Sequence, residues 1–86
     1  MNEYEIINGK LVIHNTSLEW LNLSYTGVTD ISALAGCKKL ERLNLSGTLV
    51  TGISALAGCK NLKTLSLSNA PVTDTSMIPE ACTIYR

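Results

Sequence analysis

The chain has 86 residues, enough for one small domain, and a domain of that size buries only about 60–65% of its unfolded surface, so modest stability is expected. Apolar residues make up 45% of it and there is no Phe, which leaves Leu, Ile and Val to build the core. Seven basic residues balance seven acidic ones; such a chain lacks the cationic surface that phosphates require and any polybasic run for anionic lipid, so neither nucleic acid nor membrane is expected as a partner.

The first five residues, Met1 to Glu5, lack the basic region and apolar core of a signal peptide. No stretch approaches the ~18 apolar residues of a membrane-spanning helix. A soluble chain is therefore expected. The odd count of cysteines, Cys37, Cys59 and Cys82, argues against a closed disulfide framework. Their placement favours buried thiols and a reducing compartment, and free cysteines without a signal peptide favour a cytoplasmic setting, with the source compartment otherwise unknown.

In chain order, the first predicted element is a hairpin. Glu5-Ile6-Ile7 and Lys10-Leu11-Val12-Ile13 flank Asn8-Gly9, and Asn-Gly between β-forming runs is the strongest short hairpin signal. Residues 1–17 are expected to cap the N-terminal end by pairing beside the first of the repeats that begin at Leu18 and covering its core.

The first two repeats are nearly the same. Residues 18–39 read LEWLNLSYTGVTDISALAGCKK and residues 40–61 read LERLNLSGTLVTGISALAGCKN. They align without a gap and differ only at Trp20/Arg42, Tyr25/Gly47, Gly27/Leu49, Asp30/Gly52 and Lys39/Asn61, so 17 of 22 positions are identical. Residues 62–83, LKTLSLSNAPVTDTSMIPEACT, keep 7 of the 22. The last repeat of a stack faces water and needs a different sequence, so this degenerate repeat is expected to serve as the C-terminal cap. Together the segments make 1–86 one domain.

Within each repeat the alternation in Leu21-Asn22-Leu23-Ser24, repeated at Leu43–Ser46 and Leu65–Ser68, predicts a short half-buried strand. Stacking predicts three parallel strands. Val28, Ile31 and Leu34, with Val50, Ile53 and Leu56, return to the core. Asp30–Gly36 has room only for a short helical or 3₁₀ turn, which Gly36 is suited to end.

The pattern LxxLxLSxTxVTDISALAxC resembles leucine-rich repeats over residues 18–78. The repeat length looks like the internalin-like class, while Gly-Cys before each following Leu looks like the cysteine-containing class. The resemblance implies an α/β fold: a right-handed solenoid with a short parallel sheet, helical or 3₁₀ back turns, and the N-terminal hairpin as cap. It also implies protein binding on the concave sheet face, no enzymatic activity and no cofactor. Thr26 and Thr48 stand where the family usually carries an Asn ladder, and Ala70 ends that row.

No catalytic or metal constellation is expected. Cys37 and Cys59 share one repeat position; stacked inert thiols, a disulfide and a metal site are the readings, with thiols preferred because no CxxC occurs and His14 is the only histidine. Nothing places His14 beside a cysteine. Asp30 and Asp74 read either as helix N-caps or as a Ca²⁺ pair, the cap being preferred.

The most informative positions are the outward ones on the sheet. Trp20, Arg42 and Thr64 align across the strands, as do Asn22, Asn44 and Ser66, and then Tyr25, Gly47 and Asn69. Trp, Tyr and Arg are enriched at binding hot spots, so Trp20, Asn22, Tyr25, Arg42, Asn44 and Thr64 are the candidate protein-binding residues. Trp20 could instead pack over the hairpin or stack on Arg42. A non-catalytic interaction module with an unidentified protein partner is the first functional reading. The alternative is a structural or self-assembling unit, fragment or design, and a homodimer stays open under both.

Overall fold

The computed structural model describes residues 3–86. β1 (Tyr4–Ile7) and β2 (Lys10–Ile13) form an antiparallel hairpin with Tyr4 opposite Ile13 and Ile7 opposite Lys10. Asn8 at φ 51° and Gly9 at φ 82° fill the two turn positions. Both are left-handed, the geometry for which Asn-Gly is selected in two-residue hairpin turns. A Cβ on Gly9 would also lie 2.8 Å from Thr29 Oγ1, so this glycine permits a close approach as well as a turn.

That approach fastens the hairpin to the first repeat. The Gly9 carbonyl accepts the amides of Thr29 at 2.7 Å and Asp30 at 3.1 Å, and the Leu11 amide donates to the Asp30 carbonyl at 2.9 Å. The hairpin thus pairs with the loop behind the first sheet strand and remains a two-stranded sheet of its own. Leu11, 1% exposed, is the residue it inserts into the core, with Tyr4, Ile6 and Ile13 packed against that core.

The main sheet is parallel, in the order β3 (Trp20–Asn22), β4 (Arg42–Asn44), β5 (Thr64–Ser66) and β6 (Thr83–Tyr85). Leu21 pairs with Leu43 and Leu43 with Leu65, one full repeat apart each time. Period-2 alternation sends Leu21, Leu43 and Leu65 inward, and Leu23, Leu45 and Leu67 follow on the same side, all buried. The back turns are η1 (Ser32–Gly36) and η2 (Ser54–Gly58), both 3₁₀. No α-helix occurs among the described residues. A 3₁₀ turn rises about 2.0 Å per residue against 1.5 Å in an α-helix, so it returns the chain with fewer residues. Gly36 does not end η1 through a left-handed conformation. It is the last 3₁₀ residue, and the chain leaves at Cys37 with φ −92° and ψ 73°.

The sheet has four strands where the repeat pattern predicts three. Thr64 pairs with Thr83, where a full repeat would have brought Arg86, and Leu65 pairs with Ile84. A tight turn in which the Cys82 amide donates to the Pro79 carbonyl at 3.0 Å shortens this last coil. β6 thereby lies over the row that ends at Leu65, the Leu67 amide donates to the Tyr85 carbonyl at 2.7 Å, and the Arg86 guanidinium reaches the Val72 carbonyl at 3.2 Å.

The threonine row satisfies its own turns. Thr26 and Thr48 each donate a hydroxyl to the carbonyl three residues back, Leu23 and Leu45, at 2.7 Å. Each bond closes the turn after its strand, so Thr48, 1% exposed, carries no unpaired hydroxyl into the core.

Candidate functional site

The outward sheet face is built by the same alternation that buries the leucines. Its first row is Trp20, Arg42, Thr64 and Thr83, and its second is Asn22, Asn44, Ser66 and Tyr85. Trp20 is 63% exposed, so its indole contributes surface rather than core. Arg42 is exposed on the neighbouring strand, and Thr64 is half-buried beside it.

The centre of the face is polar and largely self-satisfied. Asn22 Oδ1 accepts the Ser24 amide at 2.9 Å and its hydroxyl at 2.7 Å, and Asn44 Oδ1 accepts the Ser46 amide at 2.9 Å. The Ser46 and Ser66 hydroxyls bond to each other at 2.6 Å. Asn22 and Asn44 therefore spend their carbonyl oxygens ending their own strands, and only their NH₂ groups remain for a ligand.

Tyr25 belongs to a third row with Gly47 and Asn69, and all three are left-handed, at φ 56°, 68° and 60°. The conformation follows from the turn that each strand enters after its serine. A Cβ on Gly47 would run into the Tyr25 ring, so the glycine is where the ring lies, and Tyr25 remains 75% exposed.

Two exposed apolar residues join this face or its rim without having been singled out by the repeat pattern. Tyr85, 54% exposed, stands in the Asn22–Asn44–Ser66 row on β6. Leu49, 61% exposed, follows the turn after β4 at the place where the other repeats carry Gly27 and Pro71. The mismatch Gly27/Leu49 was the available signal for Leu49. For Tyr85 the signal was the alternation Thr83-Ile84-Tyr85, obscured by the shortened spacing.

The other candidate groups do not assemble a reaction centre. His14 Nε2 lies 2.5 Å from Glu5 Oε2 on the exposed hairpin. Asp30 Oδ1 accepts the Ser32 amide at 2.8 Å, one residue ahead of the η1 N-cap, Ile31. Asp74 does the same for Ser76 at 2.9 Å, but in a turn with no helix behind it. The amide and hydroxyl of the serine hold each carboxyl below the usual aspartate range. An open recess of about 340 Å³ lies between the back turns, lined by Asp30, Ser32, Ala35, Gly52, Ser54 and Ala55 among others. The carboxylate in it is already committed to Ser32. Among the described residues no three His, Cys, Asp or Glu side chains cluster to hold a metal ion, and no helix is long and apolar enough to cross a membrane.

Cys37 and Cys59 stack at 0% exposure, and both are free thiols, as is Cys82. The Cys59 thiol lies 3.5 Å from the carbonyls of Leu34 and Cys37, to which it can donate, so it fastens the second coil to the end of η1. Burial pushes all three thiols above their ordinary range. A disulfide-exchange reagent reacts with the thiolate, so native Cys37 and Cys59 should label slowly and become reactive only on unfolding. Rapid labelling of the native protein, or a two-proton mass deficit, would contradict buried free thiols.

A search of curated proteins returned no match. The family model described as "Leucine Rich repeats (2 copies)" matches residues 16–57 and again 40–80, so its two placements run across all three repeats and overlap on the second. They coincide with the coils whose leucines stack in the parallel sheet. On sequence match and coil geometry together, the chain belongs to the leucine-rich-repeat family.

Proposed function

We propose that the chain is a non-catalytic protein-interaction module that reads its partner on the outward, concave face of the sheet. Leucine-rich repeats generally are interaction modules and are typically non-catalytic. The observation that carries the assignment to this face is the pair Trp20 and Tyr25, large aromatics left 63% and 75% exposed beside Arg42. Exposed aromatics with Arg are the composition of a hot spot, and Asn22, Asn44 and Thr64 form the polar floor between them. The reading includes a right-handed solenoid of the internalin-like, cysteine-containing type. It takes residues 1–86 as one domain, with hairpin 1–17 and the degenerate repeat 62–83 as its two ends.

A random peptide library displayed on phage and panned against the immobilised protein tests this. Binders should lose affinity on Trp20→Ala or Arg42→Ala, while the melting temperature stays nearly unchanged because both side chains are exposed. Binders indifferent to both substitutions would place recognition elsewhere. A large stability loss for Trp20→Ala would make the indole a structural residue.

The second reading, a self-associating unit with no partner but itself, draws on β3 and β6 as the outer strands of the sheet. Unpaired strand edges favour pairing with another chain, and two-fold contacts would close where head-to-tail stacking would run on. Light scattering over a concentration series separates it from the first: a monomer mass to high micromolar concentration removes it.

A further inference from the structure

We propose that the outward face selects an extended partner segment carrying a carboxylate over Arg42 and an apolar side chain over Trp20. This rests on the interaction-module reading above and adds the chemistry of the partner.

The charge distribution carries it. Among the eight outward strand positions, Arg42 is the charged one; the others are Trp20, Asn22, Asn44, Thr64, Ser66, Thr83 and Tyr85. The Arg42 side chain is exposed and makes no ion pair or hydrogen bond to any described residue. Four of the chain's seven carboxylates have partners of their own, and Glu19, which precedes Trp20, makes no ion pair with Arg42. Glu5 holds His14, Glu41 holds Lys63 at 3.4 Å, and Asp30 and Asp74 accept the amides of Ser32 and Ser76. An uncompensated guanidinium on an otherwise neutral surface is complementary to an anion. Its planar fork matches a carboxylate through two parallel N–H···O bonds, which a Lys could not reproduce.

Geometry gives the form of the segment. Four strands about 4.8 Å apart span roughly 14 Å between the outer two, and an extended chain advances about 3.3 Å per residue, so it crosses them in about five residues. Side chains on one side of such a segment recur about every 7 Å. With a carboxylate at Arg42 on β4, the next one toward β3 lies about 2 Å beyond that strand, within reach of the Trp20 side chain. The strip is much smaller than the ~800 Å² per partner of a standard protein–protein interface, which favours a short linear segment over a second folded surface.

The experiment is the same displayed peptide library, panned in parallel against the wild-type chain, Arg42→Ala and Arg42→Glu, with Trp20→Ala as the control for the face. Wild-type panning should enrich Asp and Glu above the input library. Individual acidic binders should weaken about tenfold or more on Arg42→Ala, the loss of one charge-assisted contact, and weaken further with added salt. Arg42→Glu should redirect selection to Lys and Arg. Peptides that depend on Trp20 but show no acidic enrichment would overturn this proposal and leave the module reading standing. Acidic peptides that bind Arg42→Ala equally well would also overturn it. Binders insensitive to both Trp20 and Arg42, or none at all, would overturn both.

Discussion

Leu43→Ala should lower stability by about 2–5 kcal/mol, the range for truncating a buried leucine. Leu43 is 2% exposed and lies in the middle of the inward row, paired with Leu21 on one side and Leu65 on the other. A cavity at that place has leucines both above and below, and the two flanking coils are held apart by their own backbone ladders, so collapse into the void is restricted. Small domains carry roughly 5–15 kcal/mol in all, and this one is at the small end, so the variant should be partly unfolded at moderate urea. The urea midpoint should fall with the slope unchanged, which marks a stability effect rather than a change in the surface exposed. A loss below about 0.5 kcal/mol, the range of surface substitutions, would place Leu43 outside the core.

The second large effect is expected from removing residues 83–86. That deletion takes away β6, with the bonds from the Thr83 amide to the Lys63 carbonyl at 2.9 Å and from the Leu67 amide to the Tyr85 carbonyl at 2.7 Å, and the Arg86 contact to Val72. It also strips Ile84 from the core it packs against. At about 1 kcal/mol net for each of these three hydrogen bonds and ~1–2 kcal/mol for a half-buried aliphatic side chain, the loss should reach about 4–5 kcal/mol. The truncated chain would further present β5 and its leucines as an open edge, so its sedimentation should become concentration-dependent even where the full chain's is not. Ile84→Ala should give the smaller part of the stability loss without opening the edge. A truncated chain with an unchanged urea midpoint and unchanged mass would show that β6 contributes nothing to closing this end.

Much of the fold was legible because a solenoid repeats its environment. Each interior coil buries the same positions, so Leu18, Leu21, Leu23, Val28, Ile31, Leu34 and Cys37 recur one repeat later and declare the core, the strand and the return turn together. Asn8-Gly9 likewise declared a hairpin, since few pairs accept two left-handed residues in succession. The candidate row Trp20–Arg42–Thr64 followed from that period alone, because a register set by stacked leucines fixes which outward residues are neighbours.

What the tertiary structure decided lies where the environment stops repeating. The hairpin's own residues do not tell where it docks; the answer is set by the Gly9 carbonyl meeting the Thr29 and Asp30 amides behind the sheet. The identity of Asn22 and Asn44 suggests a binding floor, yet their oxygens are taken by the Ser24 and Ser46 amides two residues on, where each strand ends, and only their NH₂ groups are left to that floor. Tyr25 finds its place on Gly47, a relation between two coils that neither repeat contains alone. β6 joins the sheet before a full repeat has elapsed after β5, so no alignment of repeats brings Thr83-Ile84-Tyr85 beside Thr64-Leu65-Ser66. A periodic sequence determines the stack by itself, because every interior coil solves one packing problem. The ends meet water on one side, each solves a different problem, and only the assembled core shows which local segment covers it.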